Sequence, residues 1–202
     1  GAICVKAISE DATKRVLLNS STFQRLFITG WETCFALEDS GENSFCDIKM
    51  VDFTRGFWLG YNCDKLLFDS CNFGNNTLSS AAGDDDRAGT AVEYGLTTAY
   101  HASGAQGNNL HSFVNCHFCN LLLPFKFTDI GIGVVKVSSY FEACKQIATF
   151  GANNGVVNGP KAVNFDGSHF SRLYQSAETA PKFQFLSASN TVSLIVQGCQ
   201  SD

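Results

Sequence analysis

Charge is scarce in this chain. Only 16% of its 202 residues are Asp, Glu, Lys or Arg, against about a quarter in an average globular domain. With 45% hydrophobic residues, that excludes a disordered polyelectrolyte, because apolar surface is available to offset chain entropy. The 14 Lys and Arg are scattered. No basic cluster exists, which argues against a nucleic-acid partner. No run of about 18 apolar residues exists, which argues against a membrane-inserted helix. Met occurs once and Pro three times. Few Met, Glu, Lys and Arg argue against a helical bundle. The sequence opens on Gly1-Ala2 with no initiator Met and no signal-peptide pattern. It therefore reads as a fragment of a longer chain.

Phe and Cys are abundant instead, at 18 and nine residues. An odd number of Cys cannot all pair within one chain. Three segments match each other: Phe68-Asp69-Ser70-Cys71-Asn72-Phe73, Phe113-Val114-Asn115-Cys116-His117-Phe118 and Phe165-Asp166-Gly167-Ser168-His169-Phe170. Weaker copies are Val137-Ser138-Ser139-Tyr140-Phe141 and Phe183-Gln184-Phe185-Leu186-Ser187. A second repeat has a spacing of 17, Cys46-Asp47 with Cys63-Asp64 and Val51-Asp52 with Phe68-Asp69.

Short apolar runs such as Asp64-Lys65-Leu66-Leu67-Phe68 and Val192-Ser193-Leu194-Ile195-Val196 read as strands. Between them lie Gly and Asn turns, such as Gly74-Asn75-Asn76 and Asn153-Asn154-Gly155. A unit of about 20 residues cannot bury its own apolar face, but stacked units can. The expected fold is therefore all-β, a parallel β-helix of about seven rungs. The rungs start near Thr22, Phe45, Asp64, Asn109, Val134, Lys161 and Lys182. Residues 1–21 form an N-terminal segment, with a short helix over residues 10–18 after a cap at Ser9. Residues 22–202 form the β-helix, with a projecting loop at about 74–108.

The Phe113 to Phe118 and Phe68 to Phe73 segments resemble rungs of right-handed, single-stranded parallel β-helices of the pectate-lyase-like class. Low Met, Cys ladders and Asn/Ser/Gly turns make the chain similar to bacteriophage tailspikes. The resemblance implies a homotrimer on a virion tail, outside the bacterial cell, after folding in a reducing cytoplasm. It implies binding of capsular or O-antigen polysaccharide, and its cleavage or deacetylation.

The Cys are expected to pack as reduced interior rungs, with Cys71 and Cys116 at one repeat position and Cys46 and Cys63 at another. The lone Cys116-His117-Phe118-Cys119 lacks a second pair, so no metal and no cofactor are expected. His117 and His169 share a repeat position and point outward. The 17-residue register puts Asp52 beside Asp69 and Asp47 beside Asp64. Like charges directly opposite on neighbouring strands are destabilising, so each pair needs solvent, a cation or a function. Paired carboxylates suit glycoside hydrolysis, with Asp52, Asp69 and Glu93 as catalytic candidates. Trp58, Tyr61, Arg55, Asp85 and Arg87 are candidate sugar contacts. The competing readings are turn-capping Asp residues in a non-catalytic structural or adhesive segment and, less favoured, a lyase with Arg55 or Lys65 as its basic group.

Overall fold

The computed structural model describes residues 2–8, 18–60, 62–75, 89–95, 109–128, 132–151, 160–171, 182–185 and 193–202. The strands fall into seven successive circuits. The first holds β1 (Ile3–Ala7), β2 (Leu18–Asn19), β3 (Thr22–Gln24) and β4 (Phe27–Thr29). The second holds β5 (Thr33–Leu37), β6 (Ser40–Gly41), β7 (Ser44–Cys46) and β8 (Lys49–Val51). The third holds β9 (Arg55–Leu59), β10 (Leu67–Asp69) and β11 (Asn72–Gly74). The fourth and fifth are β12 (Thr90–Tyr94), β13 (His111–Cys119), β14 (Leu123–Phe127) and β15 (Ile132–Glu142). The sixth holds β16 (Ala148–Phe150), β17 (Pro160–Asp166) and β18 (His169–Ser171). The seventh holds β19 (Phe183–Phe185), β20 (Ser193–Gln197) and β21 (Gln200–Ser201).

Every strand pairing is parallel. One sheet runs β1-β5-β9-β12-β14-β16-β19, one strand from each circuit. The second sheet gathers the remaining longer strands, and β2 pairs with β6 as a short third. The protein is thus all-β with parallel sheets, and no helix occurs among the described residues. Of the expected helix over residues 10–18, residues 9–17 lie outside the described residues and Leu18 begins β2.

Phe stacking sets the register. Phe23, Phe45, Phe68 and Phe113 are register partners on β3, β7, β10 and β13. Phe68 stacks on Phe45 at 5.1 Å and on Phe113 at 4.3 Å between ring centroids. Phe73, Phe118, Phe141 and Phe170 form a second column. Phe165 continues the first column beyond Val137, and Phe125 of the other sheet meets Phe113 and Phe165 edge-on. The weak copy at Phe183 is not a rung of this kind. β19 pairs with β16 in the other sheet, and Val196 takes the place beside Phe165.

The corners are built from left-handed residues. Ser20, Glu42, Lys65 and Leu110 form one column, Arg25, Asp47, Ser70 and Asn115 a second, and Asp52, Asn120 and Ala143 belong to a third, all with φ between 45° and 57°. Corner N–H groups donate to a carbonyl of the next circuit, as Asp47 does to Asp69 at 3.0 Å and Asp52 to Gly74 at 3.2 Å. This continues the ladder through each bend and explains the Asp, Asn and Ser, which tolerate this conformation. Ala143 (φ 53°) has no such tolerance. A Cβ in this region costs about 1–2 kcal/mol, and glycine costs about 0.5–1 kcal/mol in unfolded-chain entropy. Ala143→Gly is therefore expected to stabilise the fold by about 0.5–1 kcal/mol, read by urea unfolding.

The inward residue beside the second corner column carries the Cys ladder. Cys71 Sγ donates to Phe45 O, Cys116 Sγ to Phe68 O, Ser139 Oγ to Phe113 O, Ser168 Oγ to Val137 O and Cys199 Sγ to Phe165 O, at 3.1–3.4 Å. Small polar groups fit here because each finds a rung carbonyl. None of the nine Cys forms a disulfide. The equivalence of Cys71 with Cys116 holds. That of Cys46 with Cys63 does not, because half-buried Cys46 pairs with Asp69 while Cys63 is buried beside a different corner.

The expected loop at 74–108 is corrected in part. Within it, β12 is a strand of the seven-stranded sheet, packed between β9 and β14. Residues 76–88 and 96–108 lie outside the described residues.

Candidate functional site

The carboxylates expected to pair do not meet. Asp69 is the register partner of Cys46 and Val114. Asp52 follows β8, whose Val51 pairs with Gly74. Phe68 therefore rests on Phe45, and all of β8 separates the level of Asp69 from the corner of Asp52. A 17-residue register would break the Phe column and oppose two like charges. Asp47 and Asp64 separate for the same reason. Asp47 is a left-handed corner, while Asp64 bridges Gly41 and Asn109 and its Oδ1 accepts the Asn109 N–H at 3.0 Å.

Three other candidates do share a face. Trp58 and Glu93 are register partners on β9 and β12, and Arg55 lies on the same sheet. Glu93 is held by Lys126 at 2.8 Å and Arg55 Nε at 3.9 Å, and Arg55 also approaches Glu32 at 3.8 Å. Trp58 is only 6% exposed. A Cβ at Gly60 would collide with the Trp58 ring and with Glu38 Cγ, so the indole is packed down and offers a ligand no open face. Tyr94 is a core residue. Tyr61, Asp85 and Arg87 lie outside the described residues.

A polar cleft lies at the first corner column, where three circuits meet. It holds about 420 Å³ and is lined in part by Asn19, Asp39, Glu42, Asn62, Asp64 and Lys65. β2 and β6 bring Asn19 against Gly41, whose N–H donates to Asn19 Oδ1 at 2.7 Å. Lys65 Nζ donates to Glu42 Oε1 at 2.9 Å. That hydrogen bond lowers the Glu42 pKa and raises that of Lys65. Asn62 Nδ2 donates to Asp39 Oδ1 at 3.1 Å. Asp39 is 2% exposed, and its Oδ2 is shut from solvent without a hydrogen bond. A buried carboxylate oxygen without a donor is costly, but this one is closed to a ligand as it is to water, so Asp39 serves the cleft wall by holding Asn62. Asp39 was not singled out from the sequence because Glu38-Asp39 belongs to no motif or repeat.

A buried polar chain lies near this corner. Tyr94 OH and His111 Nδ1 are 3.0 Å apart, and His111 Nε2 lies 2.7 Å from Cys63 O. The carbonyl fixes the tautomer: Nε2–H donates to it, and Nδ1 accepts from the tyrosine. Burial lowers the His111 pKa to about 4 and pushes Tyr94 well above its ordinary value. Both groups are neutral interior members, not a catalytic pair. His117 and His169 flank Tyr140 on the outer surface of β13, β18 and β15. The chain matches no protein-family model, no curated protein and no solved structure.

Proposed function

We propose that the chain is a right-handed parallel β-helix that serves a phage tailspike or tail fibre as a non-catalytic, polysaccharide-binding shaft. Seven returns to each parallel sheet support the β-helix, and parallel crossovers are right-handed in nearly all proteins. The cleft carries the binding assignment. Asp39, Asp64 and Glu42 accept hydrogen bonds, Lys65 donates them, and Asn19 and Asn62 do both. That mixture suits the vicinal hydroxyls of a sugar, and 420 Å³ is in the range of small-ligand sites. Catalysis has less support, because Asp69 ends β10 while Asp52 forms a corner after β8, and Glu93 is paired with two cations. The same reading has three copies assembled side by side on the virion tail, outside the cell. Outward Leu67 and Val114, each 37% exposed, supply apolar contact.

The test is incubation with a panel of capsular and O-antigen polysaccharides, reading retention and product size together. Retention without shortening is expected, weakened about tenfold by Lys65→Ala or Asn62→Ala. Shortening abolished by Glu93→Gln would replace this reading with a depolymerase. Retention by none of the panel would remove the adhesive role. Light scattering giving a monomer at micromolar concentration would remove the trimer.

A further inference from the structure

We propose that His117, Cys119 and Glu142 form a binding site for a divalent transition metal of the zinc class. This site is on a different sheet from the polar cleft and does not rest on the polysaccharide reading. Alternate residues of a strand share a face, so His117 and Cys119 of β13 project together. Glu142 of β15 is the register partner of Cys119. One ligand atom from each residue lies within 4.8 Å of the other two. His117 Nε2 and Glu142 Oε2 are 3.3 Å apart, which is about the separation of two tetrahedral ligands each roughly 2.0 Å from zinc. Cys119 Sγ, within 4.8 Å of both, must close to roughly 3.5 Å to complete a tetrahedral set with a Zn–S bond of about 2.3 Å.

Three further observations favour a metal over a plain His–Glu ion pair. First, His117 Nε2 is shielded from solvent and makes no aligned hydrogen bond, despite the nearby carboxylate. Second, Asn72 Nδ2 lies 3.3 Å from His117 Nδ1. Turning that amide over would place its oxygen against Nδ1–H and leave the Nε2 lone pair for a metal, the usual outer support of a histidine ligand. Third, the residue beside Cys119 on the next circuit is Gly74. Its backbone is outside the left-handed region, so the conformation does not demand glycine. A Cβ there would sit 3.9 Å from Cys119 Cβ, and its absence leaves that flank open.

The donor set is thiolate, imidazole and carboxylate, which selects zinc or cobalt over magnesium or calcium. Binding converts the Cys119 S–H to thiolate, and the proton leaves to solvent. Three protein ligands leave a fourth position for water. The Cys116-x-x-Cys119 spacing plays no part, because Cys116 points inward to Phe68 O.

Cobalt(II) is the probe, added to the whole reduced chain and followed by absorption, with zinc as competitor. One equivalent is expected to bind, with a thiolate-to-cobalt charge-transfer band that zinc displaces. Cys119→Ser should abolish the band, and His117→Gln or Glu142→Gln should weaken binding at least tenfold. Cys46→Ser, a half-buried thiol elsewhere, should change nothing. Glu142→Gln leaves every thiol in place, so it tests the site even if a Cys119 variant folds poorly. A band that survives Cys119→Ser, one lost in Cys46→Ser, binding unchanged by Glu142→Gln, or no cobalt binding at micromolar concentration would overturn the site.

Discussion

Phe68→Ala is expected to destabilise the protein by about 3–5 kcal/mol, the range for emptying a buried aromatic site. Phe68 is fully buried at the meeting of two stacked columns. It stacks on Phe45 and Phe113 and meets Phe57 edge-on at 4.8 Å. Each contact of this kind adds about 0.5–1.5 kcal/mol beyond simple burial. Collapse around the cavity is restricted, because neighbouring rings are fixed by parallel ladders on both sides. A loss this large is a substantial fraction of typical domain stability, about 5–15 kcal/mol. Phe27→Ala is the control, since Phe27 is 64% exposed. The two variants should separate widely in urea midpoint. Equal midpoints would remove the Phe columns as the main source of stability.

The second large effect is acid destabilisation through His111. Its folded pKa is about 4, against about 6.5 for the unfolded residue. Below pH 6.5 the unfolded chain takes up a proton that the folded chain refuses, so stability is present above 6.5 and is lost as pH falls toward 4. The shift corresponds to about 3 kcal/mol. Tyr94 acts at the other limit. Its raised pKa means stability is lost as pH rises above about 10. His111→Phe keeps a ring against Tyr94 but cannot titrate. The difference between wild type and this variant across pH 4–6.5 isolates the histidine, and parallel curves would refute its burial as a neutral group.

The columns were legible because each rung repeats one short pattern. Phe-x-x-Cys/Ser-x-Phe places two inward rings either side of an inward small group, and the register aligns it across Phe68, Phe113 and, beyond Val137, Phe165. Aspartate register was not legible, for a physical reason. Most circuits bend at more than one left-handed corner, and Asp, Asn or Ser recurs on all three corner columns among other residues. Asp47 lies on one corner column and Asp64 beside another, so their 17-residue spacing matches unlike corners. β12 was hidden because the segment before it is rich in Gly, Asp and Ser and the segment after it in Gly, Ala, Thr and Asn. In the proposed metal site, His117-x-Cys119 was readable as one face of a strand. Glu142 was not, because only the β13–β15 pairing brings it there.

Both the Phe columns and the separation of Asp52 from Asp69 depend on that register, and a thiol choice tests it directly. Asp69→Cys is made together with Asp52→Cys, giving the new thiol at position 69 two rivals. Neighbouring parallel strands are about 4.8 Å apart, inside the window of roughly 4.4–6.8 Å that a disulfide spans. Mild oxidation followed by peptide mapping should show position 69 bridged to Cys46, its partner across β7 and β10. A bridge between positions 52 and 69 would contradict the register and restore the paired-acid site.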